Sequence, residues 1–92
     1  MDIVFDPNKD ASNKADHDGI SLQFGADVLD DPNALDIPDI RFDYGEDRWI
    51  AYGRVELTVY VCVYVEHEDH YRIISVRKAT QVEEQRYYNE QR

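Results

Sequence analysis

A single cysteine, Cys62, excludes an internal disulfide. No apolar run approaches the ~20 residues that span a bilayer, and the opening Met1-Asp2-Ile3-Val4-Phe5-Asp6 has neither a basic segment nor a long apolar one. The expectation is a soluble, unexported chain in the reducing cytoplasm, with no membrane contact. Internal repeats and low-complexity linkers are also missing, and 92 residues are too few to divide between two cores, so one domain over residues 1–92 is expected.

Positive charge is scarce: 10 Lys and Arg face 20 Asp and Glu, for a net charge of −10. The imbalance lies at the front, where residues 1–40 hold ten Asp and two Lys, while residues 41–92 hold ten acids and eight Lys or Arg. Such a chain repels nucleic acid at long range and attracts basic partners, so any RNA or DNA contact must use a local cluster of cations. With 42% hydrophobic residues, among them seven Tyr, three Phe and one Trp, the chain is nonetheless too apolar to stay disordered.

Several chemical signatures are absent. Aligning Gly19 with the invariant glycine of a calcium loop leaves Lys14 and Gly25 at the first and last ligand positions. Cys62, His67 and His70 offer three zinc ligands without a fourth at a recognised spacing. A magnesium nuclease of the restriction-enzyme type needs an acid two residues before its lysine, but Pro7, Ser12 and Val76 precede Lys9, Lys14 and Lys78. There is no glycine-rich phosphate loop and no serine or cysteine nucleophile motif. Neither a metal nor an organic cofactor is expected.

Hydrophobic periodicity predicts the order β-α-α-β-β-β-β-α. Ile3-Val4-Phe5 forms a short strand; Asp6-Pro7 caps a helix near 7–17, whose thin apolar stripe holds only Ala11 and Ala15, and Gly19 ends it. Ser21 caps a second, packed helix near 22–30. Residues 33–46 form an irregular connector around a short strand, Ala34–Ile37. Strands Arg48–Gly53, Leu57–Val65 and Tyr71–Lys78 follow as an antiparallel meander. In the middle strand Leu57, Val59, Val61, Val63 and Val65 share the core face, and Thr58, Tyr60, Cys62 and Tyr64 the semi-polar one. In the last, alternation groups Tyr71, Ile73, Ser75 and Arg77 against Arg72, Ile74, Val76 and Lys78. Thr80 and Glu83 match a capping box at the head of a helix near 81–90.

Phe5-Asp6-Pro7, Asn13 with His17, Gly19-Ile20-Ser21, Asp31-Pro32, Gly45-Glu46-Asp47-Arg48 and above all Arg72-Ile73-Ile74-Ser75-Val76-Arg77-Lys78-Ala79-Thr80 occur in register along nearly the whole chain. In these segments the sequence resembles the BrnT toxins. The resemblance implies an α+β, RelE-like microbial ribonuclease fold, with an antiparallel sheet carrying two N-terminal helices and a C-terminal helix. It also implies metal-independent RNA cleavage that inhibits translation, neutralisation by a small BrnA-like ribbon-helix-helix antitoxin, and DNA contact only through that antitoxin. The chain departs from the family pattern at Phe5, where tryptophan is common, and at Asp16-His17-Asp18-Gly19, where the family has Lys-His-Gly.

Cleavage of this kind drives a ribose 2′-hydroxyl at the adjacent phosphate, and it needs a proton acceptor, a cation on the phosphorane-like transition state and a donor for the leaving oxygen. Carried over residue by residue, the resemblance points to Arg77 and Arg48 as transition-state cations, since a planar guanidinium binds two phosphate oxygens at once. Arg72 and Lys78 become phosphate or structural contacts. Glu46 is either the base or the group that orients Arg48, or simply a connector charge. His17 is either a proton carrier or a helix C-terminal residue favoured by the dipole. Trp49, Tyr52, Tyr60 and Tyr64 stack bases or fill the sheet surface. The competing reading is a weakly active or inactive relative whose acidic front half binds and autoregulates with a basic DNA-binding antitoxin.

Overall fold

The computed structural model describes residues 2–91. Its elements are β1 (Ile3–Val4), α1 (Pro7–Asp16), a 3₁₀ turn (Leu22–Phe24), α2 (Gly25–Leu29), β2 (Leu35–Asp39), β3 (Arg48–Val55), β4 (Thr58–Glu66), β5 (Tyr71–Lys78) and α3 (Gln81–Asn89). The strands form one sheet in the order β1-β5-β4-β3-β2. The architecture is α+β, in the predicted order of elements. One detail differs from an antiparallel sheet: β1 lies parallel to β5, with Ile3 opposite Tyr71, so the sheet is mixed.

Local chemistry sets most boundaries. Asp6 accepts a hydrogen bond from the Asn8 amide at 2.8 Å, and Pro7 follows at the first helical position, where no amide hydrogen is needed. α1 ends at Asp16, and Asp18 and Gly19 then adopt φ of 55° and 76° to turn the chain. The segment read as one helix divides in two: Ser21 caps a 3₁₀ turn, and Gly25 starts α2. Gly25 has a packing reason, because a Cβ there would meet the Ile73 side chain at 3.0 Å and Cys62 Sγ at 3.2 Å. A further Cβ, at Gly53, would meet the Val28 carbonyl oxygen at 2.3 Å, so glycine lets β3 approach α2.

The main core lies between these helices and the sheet: Leu22 and Val28 meet Ala51, Cys62, Tyr64, Ile73 and Val76. The side of β4 read as semi-polar therefore carries this core, while Val59 and Val61 line a second cluster with Tyr52 and Tyr87 of α3. Both sides are apolar because helices cover each of them, α1 and α2 on one and α3 on part of the other. α1 is not held by Ala11 and Ala15, which are exposed; its one buried residue is Asn13. The Asn13 amide donates to the carbonyls of Ile20 (2.9 Å) and Val76 (2.8 Å) and accepts from the Val76 amide (3.2 Å). That clamp replaces an apolar stripe with fully matched polar groups.

Candidate functional site

The grouping of the candidate residues follows from one extra residue in β5. Val65 pairs with Arg72 and Tyr64 with Ile73, but Val63 pairs with Ser75, so Ile74 is a bulge without a partner on β4. Strict alternation put Arg72 and Arg77 on opposite faces. The bulge shifts the phase by one, and Arg72, Ser75 and Arg77 share the side of Val61, Val63 and Val65. Ile73 and Val76 consequently both turn to the main core. β3 delivers Arg48, Ile50 and Tyr52 to the same side as Arg72 and Arg77, as the pairs Ile50–Val63 and Tyr52–Val61 show.

Two polar clusters result. In the first, Glu46 accepts from Arg48 Nε at 3.0 Å and from Arg72 Nη2 at 2.6 Å, and the Arg48 guanidinium lies 4.1 Å above the centre of the Tyr44 ring. Arg72 Nε is buried without a hydrogen-bond partner among the described residues. The Arg48 bond, followed by the nearby Arg72 charge, lowers the pKa of Glu46, so the free carboxylate is a weaker base than usual.

In the second cluster Arg77 donates to both oxygens of Glu83, at 2.7 and 2.9 Å. Glu83 also accepts from the Thr80 amide at 2.8 Å, which completes the predicted capping box at the start of α3. The Arg77 guanidinium holds the Glu83 carboxyl at about 2, against an ordinary 4.5. Arg77 and Glu83 line a cavity of about 220 Å³ with Arg41, Ile50, Tyr52, Val61, Val63 and Ser75.

Arg41, which lines this cavity, is a candidate that the sequence does not single out. Its Nε and Nη2 donate to the buried Asp39 carboxylate, both at 2.8 Å, and the Tyr44 hydroxyl donates to the same group at 3.1 Å. The Arg41 bonds hold Asp39 far below the usual carboxylate range. An Asp-x-Arg pair in an irregular connector carries no signal that it reaches a cavity; only the β2–β3 pairing of Asp39 with Arg48 delivers it there.

The remaining candidates lie elsewhere. His17 caps α1 on the other side of the sheet, and its amide donates to Asn13. Lys78 pairs with Tyr60 and is exposed, on the α1/α2 side. Trp49, Tyr60 and Tyr64 pack against the main core, and Tyr52 against Tyr87. Cys62 is buried, with its thiol pushed up to about 12 by desolvation, whereas His67 and His70 stack on each other in the β4–β5 turn. Among the described residues, no helix is long and apolar enough to cross a membrane.

A family model described as ribonuclease toxin, BrnT, of type II toxin-antitoxin system matches residues 5–83. The chain belongs to the BrnT family. No curated protein matches it. The BrnT match takes in both polar clusters, from Glu46 and Arg48 to Arg72, Arg77 and Glu83, and the chain is thereby a member of a family of type II ribonuclease toxins.

Proposed function

We propose that this BrnT chain cleaves RNA without a metal at the face carrying Arg48, Arg72 and Arg77, and that cleavage of messenger RNA inhibits translation. The observation that carries the reading is the placement of these arginines on one side of the sheet, Arg48 and Arg72 around Glu46 and Arg77 on Glu83, in a chain whose net charge is −10. Local cations are what a net-acidic protein needs to hold a phosphodiester.

In this mechanism the substrate phosphate competes with the carboxylates for their guanidiniums. Arg77 and Arg48 stabilise the phosphorane-like transition state, and Arg72 holds a non-bridging phosphate oxygen. Once Arg48 and Arg72 turn to phosphate, Glu46 regains basicity and accepts the 2′-hydroxyl proton. The 2′-oxygen bonds to phosphorus, the bond to the 5′-oxygen breaks, and that oxygen takes a proton from water. The products are a 2′,3′-cyclic phosphate and a 5′-hydroxyl. His17 and Lys78, across the sheet, serve the fold and the surface in this scheme.

Neutralisation falls to a small BrnA-like ribbon-helix-helix antitoxin in the cytoplasm, whose basic surface suits the ten aspartates of residues 1–40. DNA is contacted only through that partner. The second reading, a binding and autoregulatory partner with little catalysis, draws on the pairing of Arg41, Arg48, Arg72 and Arg77 with carboxylates.

The test is cleavage of purified total RNA in EDTA beside an Arg48→Ala/Arg77→Ala variant with an unchanged circular-dichroism spectrum. Cyclic-phosphate ends produced by the wild type alone support the proposal. Undiminished cleavage by the double variant rejects this site, and absence of both cleavage and growth arrest favours the binding role.

A further inference from the structure

The β2–β3 connector, residues 40–47, borders two hollows at once. Arg41 lines the cavity shared with Arg77, Ser75 and Tyr52. Phe42, Tyr44, Glu46 and Arg48 line a second hollow, of about 580 Å³. The connector thus joins the two polar clusters, and its own exposed side chains are unusual for a polar loop: Phe42 is 72% exposed and Ile40 88%.

These side chains are mounted on a rigid support. The fully buried Asp39 carboxylate accepts from the Arg41 amide (3.2 Å), Arg41 Nε and Nη2 (2.8 Å each) and the Tyr44 hydroxyl (3.1 Å). The Phe42 ring stands edge-on to Tyr44, with centroids 5.8 Å apart, and the Arg48 guanidinium lies over that same Tyr44 ring. Asp43 is turned to the Gly45 amide at 3.1 Å, which commits its carboxylate to the turn. An exposed aromatic face beside guanidiniums, fixed by a buried carboxylate, is the combination that binds single-stranded nucleic acid: stacking for a base, charge for the backbone.

We infer that the β2–β3 connector is the substrate-positioning element for RNA, with Phe42 stacking an unpaired base beside the scissile phosphate and Arg41 holding a neighbouring phosphate. This rests on the RNA-cleavage reading above and adds the strand requirement to it. A base must be unpaired to present its face to Phe42, so the element selects single-stranded over duplex RNA. Asp39 is a positioning residue, acting through Arg41 and Tyr44. RNA is favoured over a protein occupant because Phe42 lines the same hollow as Glu46 and Arg48, the groups that the cleavage reading places at the scissile phosphate; Asp39, Asp43 and Asp47 in that lining oppose the backbone charge, so stacking of the base carries the contact there.

The probe is a labelled single-stranded 2′-O-methyl oligoribonucleotide, which lacks the attacking hydroxyl, beside the cleavable RNA of the same sequence. Phe42→Ala is expected to weaken binding about 5- to 150-fold and to raise KM by a similar factor, with kcat within about threefold. Phe42→Trp is expected to restore both. Arg41→Gln should weaken binding and make it less salt-dependent by roughly the 0.7 log-log slope of one single-strand phosphate contact. Because Phe42 is exposed, its two variants keep the wild-type thermal midpoint, whereas Arg41→Gln lowers it by leaving the buried Asp39 carboxylate without its cation.

If Arg77→Ala abolishes cleavage but Phe42→Ala leaves Kd and KM unchanged, the connector inference is overturned and the cleavage reading stands. If the wild type neither binds nor cleaves RNA, the underlying reading fails first. If Phe42→Ala loses affinity for the antitoxin alone, the surface belongs to a protein partner, which also overturns the inference.

Discussion

Arg72 and Arg77 project from the same side of the sheet although five residue steps, an odd number, separate them on β5. The bulge at Ile74 makes this possible while also sending both Ile73 and Val76 into the core. Deleting Ile74 leaves four steps between Arg72 and Arg77, so strict alternation keeps both on one side and both Ile73 and Val76 in the core. The deletion variant should therefore fold and keep the arginines together, losing only the half-buried Ile74 side chain and its bulge. A loss of stability of about 2–5 kcal/mol in urea, the range for losing a large core side chain, would show that the bulge itself is needed.

Glu46 sits between two arginines, and its proposed role predicts a separation of binding from chemistry. Glu46→Gln removes a negative charge beside the phosphate, so affinity for uncleavable RNA should stay level or rise. Loss of the proton acceptor should lower kcat by about 10²- to 10⁴-fold. In the free protein its pKa is lowered by Arg48 and then Arg72. The acid limb of kcat/KM should therefore fall below the ordinary carboxylate value of 4.5, leaving a plateau through neutral pH. A kcat loss below tenfold would assign Glu46 to orientation alone.

How far these groups were readable from the chain differs by element. β5 runs from Tyr71 to Lys78 as its apolar pattern indicates, and the Thr80–Glu83 capping box is local chemistry that needs no tertiary contact. The bulge was not legible, because Ile73-Ile74 reads equally well as uninterrupted alternation and only pairing with β4 reveals the extra residue. Tyr64 and Cys62 looked semi-polar by residue type, yet they face the helices, where Tyr64 donates its hydroxyl hydrogen to Asp36 at 3.0 Å. Arg48, Arg72 and Arg77 entered through the family resemblance. Arg41 and Phe42 did not, since their position depends on how the connector between β2 and β3 folds.

Glu83 links the site to acid stability. Its folded pKa is about 2 against an ordinary 4.5, chiefly through the Arg77 bond. A depressed carboxylate contributes stability that is complete above the unfolded value and is lost as pH falls toward the folded one. Between pH 4.5 and about 2 the wild type should therefore lose stability faster than Glu83→Gln, which has no proton to take up there. Urea midpoints measured across that window check this, and parallel acid limbs for the two proteins would contradict it. At pH 7 Glu83→Gln also frees Arg77 from its carboxylate, so tighter binding of uncleavable RNA should accompany the lower stability.

Asn13 supports the arginine face from behind. Its side chain carries three hydrogen bonds, two of them to the Val76 backbone, next to Arg77, and the third to Ile20. Removing it leaves the Val76 amide and two carbonyls without partners in a buried setting, for an expected loss of about 1–3 kcal/mol in Asn13→Ala. Asn13→Asp discriminates charge from geometry: above the carboxylate pKa it can still accept from the Val76 amide but cannot donate to either carbonyl. It should be at least as destabilised as Asn13→Ala at pH 7 and recover part of the difference on acidification, when a protonated carboxyl regains one donor. Amide exchange at Val76 should accelerate in both variants before global unfolding. Wild-type exchange at Val76 in either variant would mean that α1 is held to β5 by other contacts.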